Sequence, residues 1–400
     1  MASAPTAENQ PASPSSMPAR PPPASQSRLI WKRFRRHHTA YASLLLLALI
    51  GITGIFAEFF APYSREWRDV HHAYCPPTPP RFSFEHGLHI LNVKPSMDPL
   101  TLRRIYIEDA SDVVPLGFFV PGVPYELMGF IPWDRHLLGV DRNTYAQRST
   151  RPSPSRASAT VTEKPVAPQF YVFGADRYGR DILSRLIHGS RISLSVGLVG
   201  ILVTFILGLV VGGISGYVGG RVDNLIQRSI EVINAFPQLP LWLSLAAILP
   251  KDWSSLKIYF GITVVLSLLN WTGLARVVRG KILSLREEDY VVAARLLGAS
   301  HTRIITRHLL PGFTSHIIVT LTLSVPGMIL GETSLSFLGL GLRPPIVSWG
   351  VMLQDATNLQ VVSSYPWVLL PVVFIILVVL GFNFLGDGLR DAADPYASRN

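Results

Sequence analysis

Long apolar runs constrain this chain more than any other feature of its sequence. Six stretches are apolar over enough residues to cross a bilayer, whose hydrocarbon core of about 30 Å needs about 20 residues of helix. An ionised side chain at the centre of such a helix costs about 2.5–3.5 kcal/mol, and charges are nearly absent inside these stretches. The sequence therefore predicts six transmembrane helices, over residues 41–61, 192–217, 233–249, 259–278, 313–340 and 367–385.

Composition narrows the class of protein further. Hydrophobic residues make up 48% of the chain and charged residues 16%, well below the roughly 25% of a soluble domain. The net charge is +10, but the basic residues flank apolar runs, so we expect no nucleic-acid partner. The single cysteine, Cys75, excludes an internal disulfide and a cysteine-rich metal site. The histidines lack ligand-like spacing, so no metal site is expected.

The distribution of Lys and Arg predicts how the chain lies in the membrane. Short cytoplasmic loops carry an excess of these residues. They are dense in residues 28–36, before the first run, and in residues 279–307, between the fourth and fifth runs. The sequence thus predicts a multi-pass membrane protein with both termini in the cytoplasm, and it places residues 62–185 outside.

These signals divide the chain into five parts. The Pro- and Ser-rich start is predicted to be disordered, and the outer segment is predicted to be a loosely structured cap. Within that segment, residues 102–107 could form a strand and residues 143–168 are typical of a flexible linker. The parts are a tail with a basic end (1–38), transmembrane helix 1 (39–61), an extended periplasmic loop or cap (62–185), a core with helices 2–6 (186–390) and a cytoplasmic tail (391–400).

The loop between the fourth and fifth runs has a distinctive pattern. Acidic residues including Asp289 suit the positive end of a helix dipole. Gly298 can adopt a positive φ and end a first helix, and Ser300 can cap a second one. Pro311 would end that second helix before the next span. The pattern predicts two short helices around a glycine, which from periodicity alone could be an ordinary cytosolic hairpin.

The same loop resembles the signature loop of permease subunits of ATP-binding cassette (ABC) importers. Ala293-Ala294, followed after three residues by Gly298 and then by His308-Leu309-Leu310-Pro311, carries the resemblance. Many relatives have Glu where Val292 stands here. The resemblance implies a coupling helix in a groove of a cytoplasmic ATPase, with Ala294 against the ATPase surface. The implied coupling residues are Asp289, Ala293, Ala294, Gly298, Ala299, Arg303, Arg307 and Pro311.

Four further stretches are similar to the dipeptide/oligopeptide branch of this family, and specifically to its C-type subunit. They are residues 173–194, 216–223, 331–350 and 383–395. The resemblance covers residues 30–61 and 170–396, and leaves residues 62–168 uncovered. It implies an all-α, six-helix polytopic fold of the type I importer permeases.

The resemblance also implies partners. They are a second homologous permease subunit in a heterodimer, two ABC ATPase subunits, a periplasmic solute-binding protein and membrane lipid. The chain contains no phosphate-binding loop with the Gly-x4-Gly-Lys-Ser/Thr pattern. We therefore expect no cofactor and no catalysis in this chain, with ATP and Mg²⁺ bound by the partner ATPase.

Polar and small residues within the runs leave alternatives open. Glu332, beside Ser334, could face a translocation pathway or make a structural hydrogen bond to a neighbouring helix, and Asn270 poses the same choice. The glycines at 208, 212, 213 and 216 could pack within this chain or against a partner.

The sequence leaves other cargoes and other classes of protein as alternatives. Relatives of the peptide permeases carry nickel, opines or sugar conjugates, and the sequence does not name the solute. A secondary transporter is a less favoured alternative, since such proteins often contain internal repeats and several intramembrane ionisable groups. An enzyme is disfavoured because no hydrolase or metalloprotease motif is present.

Overall fold

The structure is a computed structural model that describes residues 26–100, 104–127, 130–149, 169–250 and 252–393. Residues 1–25 of the predicted tail (1–38), residues 150–168 of the predicted linker and residues 394–400 lie outside this range. Within it the helices are α1 (Gln26–Phe34), α2 (His38–Ile55), α3 (Ala57–Phe60), α4 (Arg142–Ser149), α5 (Ile182–Val218), α6 (Gly220–Asn234), α7 (Gln238–Ala247), α8 (Ser255–Leu285), α9 (Asp289–Leu296), α10 (His301–Arg303), α11 (Leu310–Phe337), α12 (Trp349–Met352), α13 (Leu359–Ser364) and α14 (Leu370–Ala393).

Shorter turns complete the helical part. A π-helical turn, Ile304–Leu309, joins α10 to α11, and 3₁₀ turns span Val70–His72, Leu353–Thr357 and Pro366–Leu369. Five helical stretches of the described residues are long and apolar enough to cross a membrane. They correspond to five of the six predicted spans, and a polytopic helical membrane fold is confirmed. The stretches are His38–Ile55, Ile182–Val218, Ser255–Leu285, His301–Phe337 and Pro366–Ala393.

The span predicted over residues 233–249 is shorter than expected. Only α7, with 10 residues, lies there, and it would rise about 15 Å, half of the hydrocarbon core. Prolines explain the length: Pro237 precedes α7, Pro240 lies in its first turn and Pro250 follows it. The stretch is therefore apolar, as predicted, but it does not form one continuous helix of spanning length.

The glycines of α5 pack within this chain. A Cβ placed on Gly212 would lie 2.5 Å from the carbonyl oxygen of Ala275, and one on Gly216 would lie 2.8 Å from that of Arg279. Both contacts are to α8, whose backbone therefore approaches α5 as closely as small residues permit. Of the two alternatives for this glycine series, the structure contains the one within the subunit.

The buried side chains of the bundle form three clusters. One joins α2, α5, α11 and α14 around Trp349, and a second joins α7, α8 and α11 around Leu266. The third lies at the end of the bundle that carries α9 and α10, where Ile282 of α8 meets Ile304 and Leu309. Each fully buried Leu or Ile contributes about 1.5–3 kcal/mol, so this cluster anchors α9 and α10 firmly to the spans.

The outer segment corrects the prediction of a loosely structured cap. Residues 81–140 form a four-stranded antiparallel sheet of order β1-β2-β3-β4, so the chain is not all-α throughout. Register shifts occur at Leu91/Asn92 and at Pro121/Tyr125, and at the second of these Gly122 and Pro124 interrupt the pairing. The predicted linker begins with α4 rather than with irregular chain. The strands are β1 (Arg81–Ser83), β2 (Gly87–Met97), β3 (Arg104–Leu127) and β4 (Ile131–Val140).

Candidate functional site

The loop between α8 and α11 forms the two predicted short helices around a glycine. Gly298, with φ of +79°, lies between α9 and α10. The Ser300 hydroxyl caps α10 by accepting from the backbone N–H of Arg303 at 3.4 Å. The second helix continues through the π-helical turn into α11. Pro311 therefore occupies the first turn of α11 instead of ending the element before it, and the local bend lies at Phe313.

Burial divides α9 and the turn after it into two faces. Val291 and Ala294 are buried, and Val291 belongs to the third apolar cluster of the bundle. On the other face Leu296 and Leu297 are 84% and 88% exposed, and Ala293 is exposed beside them. Two large aliphatic side chains held almost fully in water next to a buried base are typical of a protein contact surface.

This division corrects the expected place of Ala294. It is 8% exposed and packs inside the chain, because α9 uses Ala294 with Val291 to seat on the bundle. The other predicted coupling residues are accessible in varying degree. Ala299 is half-buried, and the remaining ones, Asp289, Arg303, Arg307 and Pro311, are exposed.

A polar network that sequence reasoning missed ties this loop to the rest of the bundle. His301 Nδ1 lies 2.9 Å from the hydroxyl of Tyr217, and the Arg286 guanidinium donates to the carbonyl of Gly216 at 3.3 Å. The first bond connects α10 to the last turn of α5, and the second connects the end of α8 to the same turn.

An ion pair fixes the same turn to α8. Arg279 donates from Nε and Nη2 to the two carboxylate oxygens of Asp223 at 2.5 and 2.6 Å. The Ser215 hydroxyl donates to Asp223 as well. The bonds from Arg279 and Ser215 lower the pKa of the Asp223 carboxyl, so it stays ionised. The signal for this pair was present in the glycine-rich stretch 216–223, but nothing in the sequence indicated Arg279 as its partner.

The three candidate pathway residues make hydrogen bonds to different partners. Glu332 is fully buried, and its Oε1 accepts from the hydroxyls of Ser336 at 2.7 Å and Ser348 at 2.8 Å. Ser334 donates to the carbonyl of Leu330 in its own helix, at 2.7 Å. Asn270 donates to the carbonyl of Leu266 at 2.9 Å.

For Glu332 the structure therefore contains the structural alternative. Ser348 caps α12, and its hydroxyl also accepts from the N–H of Val351 at 3.2 Å. The Glu332 carboxylate thus fastens the start of α12 to α11 inside the bundle. Its contacts in this conformation are with protein and not with a pathway.

At the opposite end of the bundle, residues 173–185 form the joint between cap and core. Asp176 accepts from Arg180 Nε at 2.7 Å and from the Arg185 guanidinium. Arg177 pairs with Asp355, beyond α12, at 3.0 Å. This stretch is one of those that carry the family resemblance. Its charged residues have a structural role, because they hold the joint together.

The segment after α3 is hydrogen-bonded to this joint. The N–H of Tyr74 donates to the carbonyl of Asp176 at 2.9 Å, and the N–H of Ala175 donates to that of Cys75 at 2.8 Å. Cys75 is fully buried, and burial raises the pKa of its thiol. Gly179 has φ of +69°, and a Cβ there would lie 1.7 Å from the carbonyl oxygen of Asp69.

Comparisons with known proteins identify the family. The profile of the binding-protein-dependent transport system inner membrane component matches residues 208–399, and that of the N-terminal TM domain of oligopeptide transport permease C matches residues 25–77. The methionine ABC transporter MetNI, in an inward-facing crystal form, contains a chain of 17% identity with a TM-score of 0.41, which covers 53% of this chain and 97% of that one.

Three curated relatives of this chain are peptide permeases. The dipeptide transport system permease protein DppC of Bacillus subtilis is 41% identical over 242 residues, which are 60% of this chain and 73% of that protein. The oligopeptide transport system permease protein OppC of Haemophilus influenzae is 41% identical over 236 residues, 59% of this chain and 73% of that protein. OppC of Escherichia coli is 40% identical over 238 residues, 59% and 76%. This chain belongs to the family of binding-protein-dependent transport system inner membrane components, in its dipeptide and oligopeptide permease branch.

Proposed function

We propose that this chain is the membrane subunit of an ABC importer that moves peptides or related small solutes across the bacterial inner membrane. The proposed coupling element is the loop of α9 and α10, residues 289–311. The observation that carries the proposal is the exposed pair Leu296 and Leu297. They lie at one end of a bundle of helices long enough to span a membrane, next to the buried third apolar cluster.

The loop is built to transmit a displacement. Its buried side packs Val291, Ile304 and Leu309 against α8, so a push on its exposed side moves the helix ends as one body. Its bonds through His301 and Arg286 carry the same push to α5. ATP-driven closure of a partner seated on Leu296 and Leu297 would thereby reach two spanning helices.

The ATPase itself is proposed to be a separate chain, present twice, which binds ATP and Mg²⁺. A second, homologous permease is proposed to complete the pathway. Exposed apolar side chains on α6 and the segment that follows support such a partner, since Leu225 is 71% and Val232 63% exposed. A solute-binding protein would deliver the cargo at the cap side.

Peptides are the proposed cargo because the relatives reported above are named as dipeptide and oligopeptide permeases. A nickel, opine or sugar-conjugate importer of the same family would have the same coupling loop. A secondary transporter would not need that loop.

Transport by the purified complex in proteoliposomes tests this function. We expect uptake of labelled dipeptides that requires ATP hydrolysis and the solute-binding protein, and that persists when ionophores collapse all ion gradients. A non-hydrolysable ATP analogue is the matched control and should give no uptake. Uptake driven by an ion gradient without ATP would contradict the proposal, and uptake of nickel or sugar conjugates in place of peptides would correct the cargo.

The proposed orientation has its own test. With both termini in the cytoplasm, a periplasm-active reporter fused near residue 120 should be active, and one fused near residue 290 should be silent. The reverse pattern would place the α9–α10 loop on the wrong side for a cytoplasmic ATPase.

A further inference from the structure

The far end of the β3–β4 hairpin is a two-stranded ribbon that extends beyond the packed part of the cap. Leu127 pairs with Ile131 and Tyr125 pairs with Trp133. Among residues 121–127 and 130–135, Tyr125 and Leu127 are half-buried and the others are exposed. Ile131 is 41% and Trp133 47% exposed. A two-stranded ribbon that is open on both faces is marginally stable in water, so a surface that covers one face is to be expected.

The two faces of this ribbon differ in chemistry. Side chains of opposed residues share a face, and those of alternate residues along a strand do too. Tyr125, Leu127, Ile131 and Trp133 therefore share one face, which is aromatic or aliphatic toward the tip and has Arg135 at its base. The other face carries the charged residues Glu126 and Asp134, which flank Pro132. This separation is suited to the boundary between an apolar phase and water.

The ribbon runs toward the membrane. At its base, His136 lies 2.8 Å through Nδ1 from the carbonyl oxygen of Ala61, and the rings of Phe119 and Phe59 are 5.9 Å apart. Farther along β3, residues 123–126 line a cavity of about 830 Å³ together with Ile55 and Glu58. The strand thus passes the end of α3 first and the end of spanning helix α2 later, in the direction of the bilayer.

An ion pair marks the depth at which the ribbon arrives. Arg191 donates to Glu58 at 2.8 and 2.9 Å, and to the carbonyl of Ile55 at 2.8 Å. The apolar run of α5 begins at the next residue, Ile192. Charged pairs of this kind belong at the membrane–water boundary, where Trp and Tyr side chains also concentrate.

We propose that the β3–β4 ribbon is a membrane-surface anchor, whose face of Tyr125, Leu127, Ile131 and Trp133 sits in the interfacial layer of the adjoining leaflet. The face of Glu126 and Asp134 stays in water. The ribbon fixes the cap relative to the bilayer and the end of α2. The anchor is independent of the cargo, and it holds whichever side of the membrane carries the cap.

Spin labels on the two faces test this anchor in the assembled transporter. Single cysteines are introduced as Ile131→Cys on the apolar face and Asp134→Cys on the polar face. The complex is reconstituted in vesicles of phosphatidylethanolamine and phosphatidylglycerol. Leu49→Cys, on the 59% exposed side of α2, is the reference for lipid contact. The parent chain, whose Cys75 is buried, is the labelling blank.

Collision of the label with oxygen, which partitions into lipid, is compared with collision with a water-soluble nickel chelate. We expect the oxygen-to-nickel ratio at residue 131 to be several-fold higher than at residue 134 and to approach that at residue 49. Equal ratios at 131 and 134 would show a ribbon free in water and overturn the anchor. Protection of residue 131 from both reagents would show a protein on this face, a partner permease or a solute-binding protein, and would overturn it equally. The readout needs insertion but not transport, so its failure is distinct from a failure of the proposed function.

Discussion

The two ends of the bundle are built in opposite ways. The joint between cap and core is closed on itself, because Asp176, Arg185 and Cys75 are buried and their bonds are made within the chain. The α9–α10 loop is open, because the side chains of Leu296 and Leu297 are almost fully exposed to solvent. The first end holds one shape through its own contacts, and the second presents apolar side chains that we propose another protein covers.

Two glycines with positive φ give the sharpest way to break this comparison. Gly179 and Gly298 share nearly the same φ, yet a Cβ at Gly179 would collide with backbone and a Cβ at Gly298 would meet open space. We expect Gly179→Ala to abolish stable insertion, because the backbone at Asp69 has to move. Gly298→Ala should cost about 1–2 kcal/mol of local strain and leave the abundance of the chain in the membrane near normal.

Maleimide labelling of Cys75 reads out the first effect. The thiol should be unreactive in the native chain and should become reactive in whatever Gly179→Ala protein reaches the membrane. Equal abundance and equal protection of Cys75 in both variants would show that the joint is not the rigid end.

Charge on the open face should have the next largest effect. Leu297→Asp places a carboxylate in the proposed contact, where burying it unpaired is costly, so we expect uptake to fall by about tenfold or more, equivalent to about 1.4 kcal/mol. Leu100→Asp is the matched control, since Leu100 is 93% exposed in the cap. Both variants should insert normally. Equal uptake by the two would mean that the loop makes no contact needed for transport.

The sequence predicts the spans and the α9–α10 loop better than it predicts the cap. The spans and the α9–α10 loop carry strong local signals, since apolar runs, a helix-ending glycine and a capping serine each act through neighbouring residues. The cap does not: β3 contains Pro115, Gly117, Pro121, Gly122 and Pro124, which disfavour a strand locally. Its pairing with β2 and β4 is tertiary and overrides that preference.

The sequence predicts the wrong side for Ala294 and leaves the role of Glu332 open, for a related reason. Ala294 was assigned to the partner contact, but a small residue allows close approach on either side, and the helix phase that buries it depends on the bundle. Glu332 was left undecided because its partners, Ser336 and Ser348, include a residue from a different element. Contacts across elements are not visible in local sequence patterns.

The link between the start of α6 and α8 should show a smaller effect. Asp223→Asn keeps the shape of the side chain but removes the charge that Arg279 binds, and a hydrogen bond to a charged group contributes about 1.5–3 kcal/mol. We expect a lower thermal stability and less uptake per ATP hydrolysed. The control on the same helix is Glu231→Gln, which breaks the exposed pair with Arg228 and should change little. Similar effects of both substitutions would remove the special role of the Asp223 bond.

The last comparison concerns the closed end and its dependence on pH. Asp181 is buried, and this raises the pKa of its carboxyl to about 7 despite the hydrogen bonds from Ser184. The folded chain then holds a proton that the unfolded chain releases near pH 4, so stability is lost as the pH rises between about 4 and 7. The loss is at most about 1.4 kcal/mol per pH unit.

Asp181→Asn should remove this part of the pH dependence, because it has no proton to release. Thermal unfolding of the purified complex between about pH 5 and 8 checks it. An unchanged slope in the variant would assign the pH dependence to other groups.

Photo-crosslinking from residue 297 tests the central claim most directly. Leu297 is replaced by a photoreactive phenylalanine analogue in native membranes in which the chain supports ATP-dependent uptake, and Leu100 is replaced in the same way as the control. The account predicts an adduct between residue 297 and an ATPase subunit, and none from residue 100. Uptake that continues with no adduct from residue 297 to any ATPase would contradict the assignment of α9 and α10 as the coupling element.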